Sequence, residues 1–123
     1  MKNIYYKKDK KCSPIEERTT RDSIGQYSKS YHYMTPSPIW CYSNQLSQSQ
    51  TFEAKTYGED ETRLFVLNYR EDIEVYTILE YNGKYYTVTR VDTTDDYKTD
   101  LFVYAKDTPP GGTPSNIQPY SED

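Results

Sequence analysis

Residues 75–92 read VYTILEYNGKYYTVTRVD, two runs rich in β-branched and aromatic residues on either side of Asn82 and Gly83. An Asn-Gly pair between two such runs is the strongest short-range indication of a two-residue β-hairpin, because both residues accept the positive φ angles of a type I′ turn. The turn fixes the register and places Leu79 opposite Tyr86. That face is the more apolar one, so we expect it to point into the core.

Further short β segments lie on both sides of this hairpin. Alternation of Tyr and Lys with Ser and His is typical of a strand, and the two prolines before Ile39 separate that strand from the next one. We predict strands over 12–20, 27–34, 39–42, 63–69 and 101–105, with a turn over 20–26. The fold class is therefore mainly β, a small barrel or sandwich of five to six antiparallel strands.

The segment 47–58, SQSQTFEAKTYG, interrupts this β pattern with residues typical of a short polar helix. Ser47 and Gln50 have the spacing of a capping box, and Gly58 can end the helix. A helix of two or three turns is marginal in water. We therefore expect Phe52 to anchor this helix, inserted between strands, to its neighbours.

The strand at 63–69 is apolar on both faces. One face can line the interior of a barrel, and we expect the other to be buried by the helix or by another subunit. The predicted core anchors are Trp40, Phe52, Leu64, Val66, Leu79, Tyr86 and Val88. The predicted interface residues are Phe65, Leu67, Tyr69, Tyr76 and Tyr85.

The termini differ in composition from the segment between them. Residues 1–11 are rich in lysine, which predicts a basic, flexible arm, and residues 107–123 hold four of the seven prolines. Such a C-terminal segment cannot bury enough apolar area to fold by itself, so we expect an extended tail. The single β domain is predicted to span 12–106.

The composition limits the classes of function. Hydrophobic residues make up 34% of the 123 residues, the net charge is −4, and 15 residues are tyrosine. An acidic chain is a poor candidate for a domain that binds nucleic acid by neutralising phosphates. A core with so little Leu, Ile and Val favours a protein that is stabilised by partners, and tyrosine is enriched at interfaces. No apolar run approaches the length of a membrane span, so no membrane association is expected.

Few residues are available for chemistry. Cys12, Cys41 and the single histidine, His32, do not form a metal-binding motif. The cysteines are expected to stay reduced, with one disulfide as the alternative. No nucleophile, phosphate-loop or dinucleotide motif is present. We therefore expect no enzymatic activity, no metal and no cofactor.

Taken together, the order of these segments resembles the head closure, or head-tail joining, proteins of long-tailed bacteriophages. The similar segments are the turn, the aromatic strand, the Ser-led helix, the strand ending in Tyr-Arg, the hairpin and the closing strand, at 21–25, 39–42, 46–54, 62–70, 80–86 and 101–106. The resemblance implies a small barrel that forms a ring below the portal in the neck of the virion. It also implies that the virion is assembled in the cytoplasm of a bacterial host. It also implies as partners other copies of itself, the portal or adaptor protein, a tail or tail terminator protein, and double-stranded DNA that passes through without specific contacts.

In this family the segment between two strands points towards the channel, which implies channel-facing roles for Ser47, Gln48, Gln50, Glu53 and Lys55. The C-terminal tail is expected to reach a neighbouring ring. Two alternatives stay open from the residues. One is another virion adaptor or tail-completion subunit, and the other is a small barrel that binds oligonucleotides by stacking on tyrosines, as OB-folds do.

Overall fold

The computed structural model describes residues 7–46, 61–93 and 99–121. The elements in these ranges are β1 (Lys10–Arg21), β2 (Tyr27–Tyr33), β3 (Ile39–Gln45), β4 (Arg63–Asn68), β5 (Ile78–Tyr81), β6 (Lys84–Thr93), β7 (Asp100–Asp107) and a 3-10 turn (Pro110–Gly112). The expected helix at 47–58 lies outside the described residues, together with Phe52 and all five channel-facing candidates.

The strands form a closed antiparallel barrel. Neighbouring strands follow the order β1-β3-β4-β7-β6-β5, and β5 pairs again with β1 through Ser13–Ile15, which closes a barrel of six strands. The seventh strand, β2, pairs with the second half of β1. The prediction of a mainly β fold with a small barrel is confirmed.

The β5–β6 hairpin has the predicted register. Tyr81 pairs with Lys84 and Leu79 with Tyr86, while φ angles of 53° at Asn82 and 78° at Gly83 are those of a type I′ turn. The strand β5 begins at Ile78 rather than Val75, because the chain turns just before it: the Thr77 N–H donates to the Glu74 carbonyl at 3.0 Å and Tyr76 has a φ of 78°.

Two predicted interface residues, Phe65 and Leu67, lie in the core instead. Both are fully buried, as are the core anchors Leu79, Val88 and Val66, and Tyr86 is nearly so. The pairing of Phe65 with Val103 turns the Phe65 face of β4 into the barrel, where its ring contacts those of Tyr81 and Tyr86 edge-on at 5.5 and 5.6 Å. The opposite face holds Leu64, which is half-buried, and Val66, which is fully buried. The interface assignment of Phe65 and Leu67 was therefore wrong, whereas the core assignment of Val66 is confirmed.

The prediction of Trp40 as a core anchor was also wrong. Its side chain is 55% exposed, whereas the next residue, Cys41, is fully buried. Side chains alternate along a strand, so an inward Cys41 places Trp40 on the outside. There the Lys11 ammonium lies 4.5 Å from the centre of the indole ring.

Both predicted domain boundaries shift. The strand β1 begins at Lys10, inside the expected basic arm, and Lys8 Nζ lies 2.6 Å from the Asp100 carboxylate. The C-terminal segment does not extend away from the barrel. It turns back after β7 and forms a parallel bridge between Gln118 and His32 of β2.

Candidate assembly surfaces

A hairpin arm, residues 16–32, extends from the barrel. Beyond Ile15, the pairs of β1 in the described residues are with β2 alone, from Glu16 with His32 to Arg21 with Tyr27. Six residues of strand span about 20 Å. This length carries the tip of the hairpin arm well past the last barrel pair.

The tip of the hairpin arm is ordered by a local turn. The Asp22 carboxylate accepts hydrogen bonds from the backbone N–H groups of Ile24 at 3.0 Å and Gln26 at 2.8 Å. Gly25 supplies the positive φ of 87°. The turn leaves Ile24 81% and Tyr27 70% exposed. Two large apolar side chains are therefore presented to solvent on a fixed backbone.

Tyr76 is a second exposed apolar residue with an unusual backbone. Its φ is 78° and its side chain is 79% exposed. The conformation is held because the Tyr76 N–H donates to the Val88 carbonyl at 2.8 Å and the Thr77 N–H donates to the Glu74 carbonyl at 3.0 Å. A left-handed tyrosine is strained, and such strain is concentrated at functional sites.

An open groove of about 850 Å³ runs between the hairpin arm, the loop before β5 and the segment after β7. Its lining carries charges of both signs, and Met34 and Tyr76 contribute apolar surface. The charged side chains are those of Glu16, Glu17, Asp72, Glu74, Lys29 and Lys106. Across residues 7–46, 61–93 and 99–121, no three His, Cys, Asp or Glu side chains are placed to hold a metal ion.

Glu61 and the two cysteines are buried polar groups with structural partners, whereas His32 Nδ1 is buried without a hydrogen-bond partner among the described residues. Glu61, 3% exposed, accepts hydrogen bonds from Thr89 Oγ1 at 2.8 Å and from Arg90 Nη2 at 3.0 Å. The side-chain hydrogen bond with Cys41 raises the pKa of Cys12, and burial raises it further. A buried neutral thiol is a poor nucleophile. Both cysteines are free thiols.

A tyrosine pair flanks Glu80. Burial raises the pKa of Tyr33, and the adjacent Glu80 carboxylate, which accepts the phenol hydrogen bond at 3.2 Å, raises it further. Burial and the same carboxylate also raise the pKa of Tyr85. Both phenols are therefore held as neutral hydrogen-bond donors.

The structure separates the five predicted interface residues. Tyr76 is exposed beside the groove, Tyr69 and Tyr85 are half-buried, and Phe65 and Leu67 are inside the barrel. The sequence reasoning missed the exposure of Ile24, Tyr27, Trp40 and Val75. A signal was available for Ile24, because a large aliphatic side chain within an Asp-Ser-Ile-Gly turn has no core to reach.

The fold is similar to the solution structure of protein SF1141 from Shigella flexneri 2a. The TM-score is 0.71 at 15% sequence identity, and the match covers 83% of this chain and 94% of that chain. At this identity the similarity shows the fold alone. No family model matches the chain, and the comparison with curated proteins found no match. Among the described residues, no helix has the length and hydropathy needed to span a membrane.

Proposed function

We propose that the chain is a structural subunit of the neck of a long-tailed phage, where copies form a ring that joins the portal or adaptor of the head to the tail around the DNA channel. The hairpin arm carries this proposal. It holds Ile24 and Tyr27 in fixed, exposed positions at the end of a two-stranded arm about 20 Å long. Exposed apolar side chains on an ordered projection are typical of protein interfaces.

A ring needs each subunit to contact the next with one surface and to be contacted on another. The tip of the hairpin arm offers the first of these surfaces, with the Arg21 guanidinium 5.7 Å from the Tyr27 ring. The groove, with four carboxylates, two lysines and the exposed Tyr76, offers the second surface. Arginine and tyrosine are both enriched where interfaces have most of their binding energy.

The segment 47–60 supports a channel role through its placement. The last residues of β3 pair with the first of β4, and the Leu46 N–H donates to the Thr62 carbonyl at 2.9 Å. The insertion therefore leaves and re-enters the barrel at one place. Its sequence is polar, and the chain carries a net charge of −4. Like charges repel DNA within the Debye length of about 8 Å, which suits passage rather than binding.

The test is assembly on the portal and adaptor complex of the parent phage, followed by native mass spectrometry and electron microscopy. Multiple copies in one ring are expected for the natural chain. The double variant Ile24→Ser, Tyr27→Ser should stay folded by circular dichroism and lose at least about tenfold in ring occupancy. Ser23→Ala, in the same turn, is the matched control and should assemble normally.

Two results would contradict the proposal. One is a chain that stays monomeric and does not bind the connector complex. The other is salt-sensitive binding of labelled duplex or single-stranded DNA to the free chain, which would favour the alternative of a small oligonucleotide-binding barrel.

A further inference from the structure

The C-terminal segment 115–120 occupies part of the free edge of β2. The Gln118 N–H donates to the Tyr31 carbonyl at 2.8 Å, and the Tyr33 N–H donates to the Gln118 carbonyl at 3.0 Å. In the described part of the chain these two bonds join the segment to β2. Ile117 and Tyr120 line a small cleft there with Pro36. The edge of β2 is thus a site that accepts an added strand.

The added strand stops short of the rest of that edge. Because backbone groups of alternate residues face alternate edges, the N–H of Tyr31 and both backbone groups of Lys29 point the same way as the groups that bind Gln118. Among the described residues nothing pairs with them. An unpaired edge of this kind is a template for another chain.

Asn116 is the reason that the pairing stops. Its φ is 52°, and its carbonyl accepts a hydrogen bond from Gln118 Nε2 at 3.0 Å. This left-handed residue turns the chain away from β2. The turn is needed because the segment comes from the end of β7 in the same molecule. The conformation is unfavourable for any residue with a Cβ, although Asn tolerates it best. A segment that arrived from another molecule would not need this turn.

We infer that in the assembled ring the C-terminal segment of one copy pairs with β2 of a neighbouring copy. With Asn116 extended, its N–H would donate to the Lys29 carbonyl and its carbonyl would accept from the Tyr31 N–H. The prolines do not prevent this, because the backbone of Pro119 faces away from β2 and Pro114 lies where the pairing would end. Exchange of an identical element between copies is a low-cost route to assembly. The inference rests on the proposed ring.

Cross-linking with single-cysteine variants tests the exchange. One chain carries Ser30→Cys and the other Asn116→Cys, and the two are mixed, assembled and treated with a short bis-maleimide. No link within one chain can form between these two positions. A linked dimer is expected from the ring, because the exchanged register places 116 opposite 30. The native Cys12 and Cys41 are buried, and natural chain mixed with either variant is the control.

A second pair of positions separates the outcomes. A chain with both His32→Cys and Gln118→Cys should link within itself as a monomer, because these residues form the observed bridge. A ring in which this double variant links only within its own chain, and the mixed single variants do not link, overturns the exchange and leaves the ring standing. If no ring forms, both the proposed function and the exchange are overturned. The cross-link between positions 32 and 118 within one chain would still confirm the observed pairing of the C-terminal segment with β2.

Discussion

At the scale of single residues, Phe65, which was predicted at an interface, lies in the core, and Trp40, which was predicted in the core, lies at the surface. The ring of Phe65 is fully buried between Tyr81 and Tyr86, and Trp40 is 55% exposed. Truncation of a buried phenylalanine removes its transfer free energy and leaves a cavity. The two residues therefore contribute unequally to stability.

We expect Phe65→Ala to lower the free energy of unfolding by about 3–5 kcal/mol. Trp40→Ala should lower it by less than about 1 kcal/mol, in the range of surface substitutions. Urea unfolding followed by circular dichroism measures both. If Trp40→Ala proved the more costly of the two, the inward placement of the Phe65 face would be wrong.

Tyr33 predicts a dependence on alkaline pH. Its folded pKa is raised by burial and by Glu80, so the folded state keeps the phenol proton to a higher pH than the unfolded state does. The resulting stability is complete below the unfolded pKa of about 10 and falls as the pH rises towards the folded value. Tyr33→Phe should flatten this alkaline decline in the unfolding free energy. An unchanged decline in Tyr33→Phe would show that neither burial nor Glu80 raises the pKa of this phenol.

At the scale of elements, the sequence predicted the β5–β6 hairpin well and the orientation of β4 poorly. The Asn82-Gly83 turn is a local signal, because the left-handed backbone selects these residues directly. The strand β4 is apolar on both faces, so periodicity could not decide which face is inside. The decision comes from the pairing of Phe65 with Val103, far away in sequence. The length of the hairpin arm was missed for the same reason, since how far β1 continues beyond Ile15 depends on its pairing with β2.

The turn at Gly83 can be tested against a matched glycine. A Cβ at Gly83 would meet no atom within 4 Å, and the same holds at Gly111, but only Gly83 has a positive φ, of 78°. Gly83→Ala should therefore cost about 1 kcal/mol of stability through backbone strain alone. Gly111→Ala should be neutral or slightly stabilising. Equal effects of the two substitutions on thermal unfolding would argue against the type I′ turn.

At the scale of the whole molecule, β1 is shared between three partners. Its first residues pair with β3, Ser13–Ile15 pair with β5, and the remainder pairs with β2. No local pattern within 10–21 indicates this division or predicts that the barrel closes through so short a contact as Ser13–Ile15 with β5. The strand β1 therefore belongs both to the closed barrel and to the hairpin arm.

The division of β1 between the barrel and the hairpin arm predicts two groups of backbone amides with different protection in native-state hydrogen exchange. Amides of the barrel, such as that of Val103, should exchange at rates set by global unfolding. Amides near the tip of the hairpin arm, such as that of Ser28, should exchange much faster, because opening the arm exposes little of the core. If the proposed ring forms, its assembly should slow exchange in the second group without changing the first. Uniform rates across both groups would contradict a separate arm.

The backbone hydrogen bond between Leu46 and Thr62 has a practical consequence for the residues that it encloses. Since the two ends are held together by the barrel, each added residue in the insertion raises the entropy cost of closing it only slowly. A fluorescent label or an epitope tag could be placed there with the barrel intact. The proposed channel-facing residues, all of which belong to this insertion, could therefore differ between relatives while the barrel stays constant.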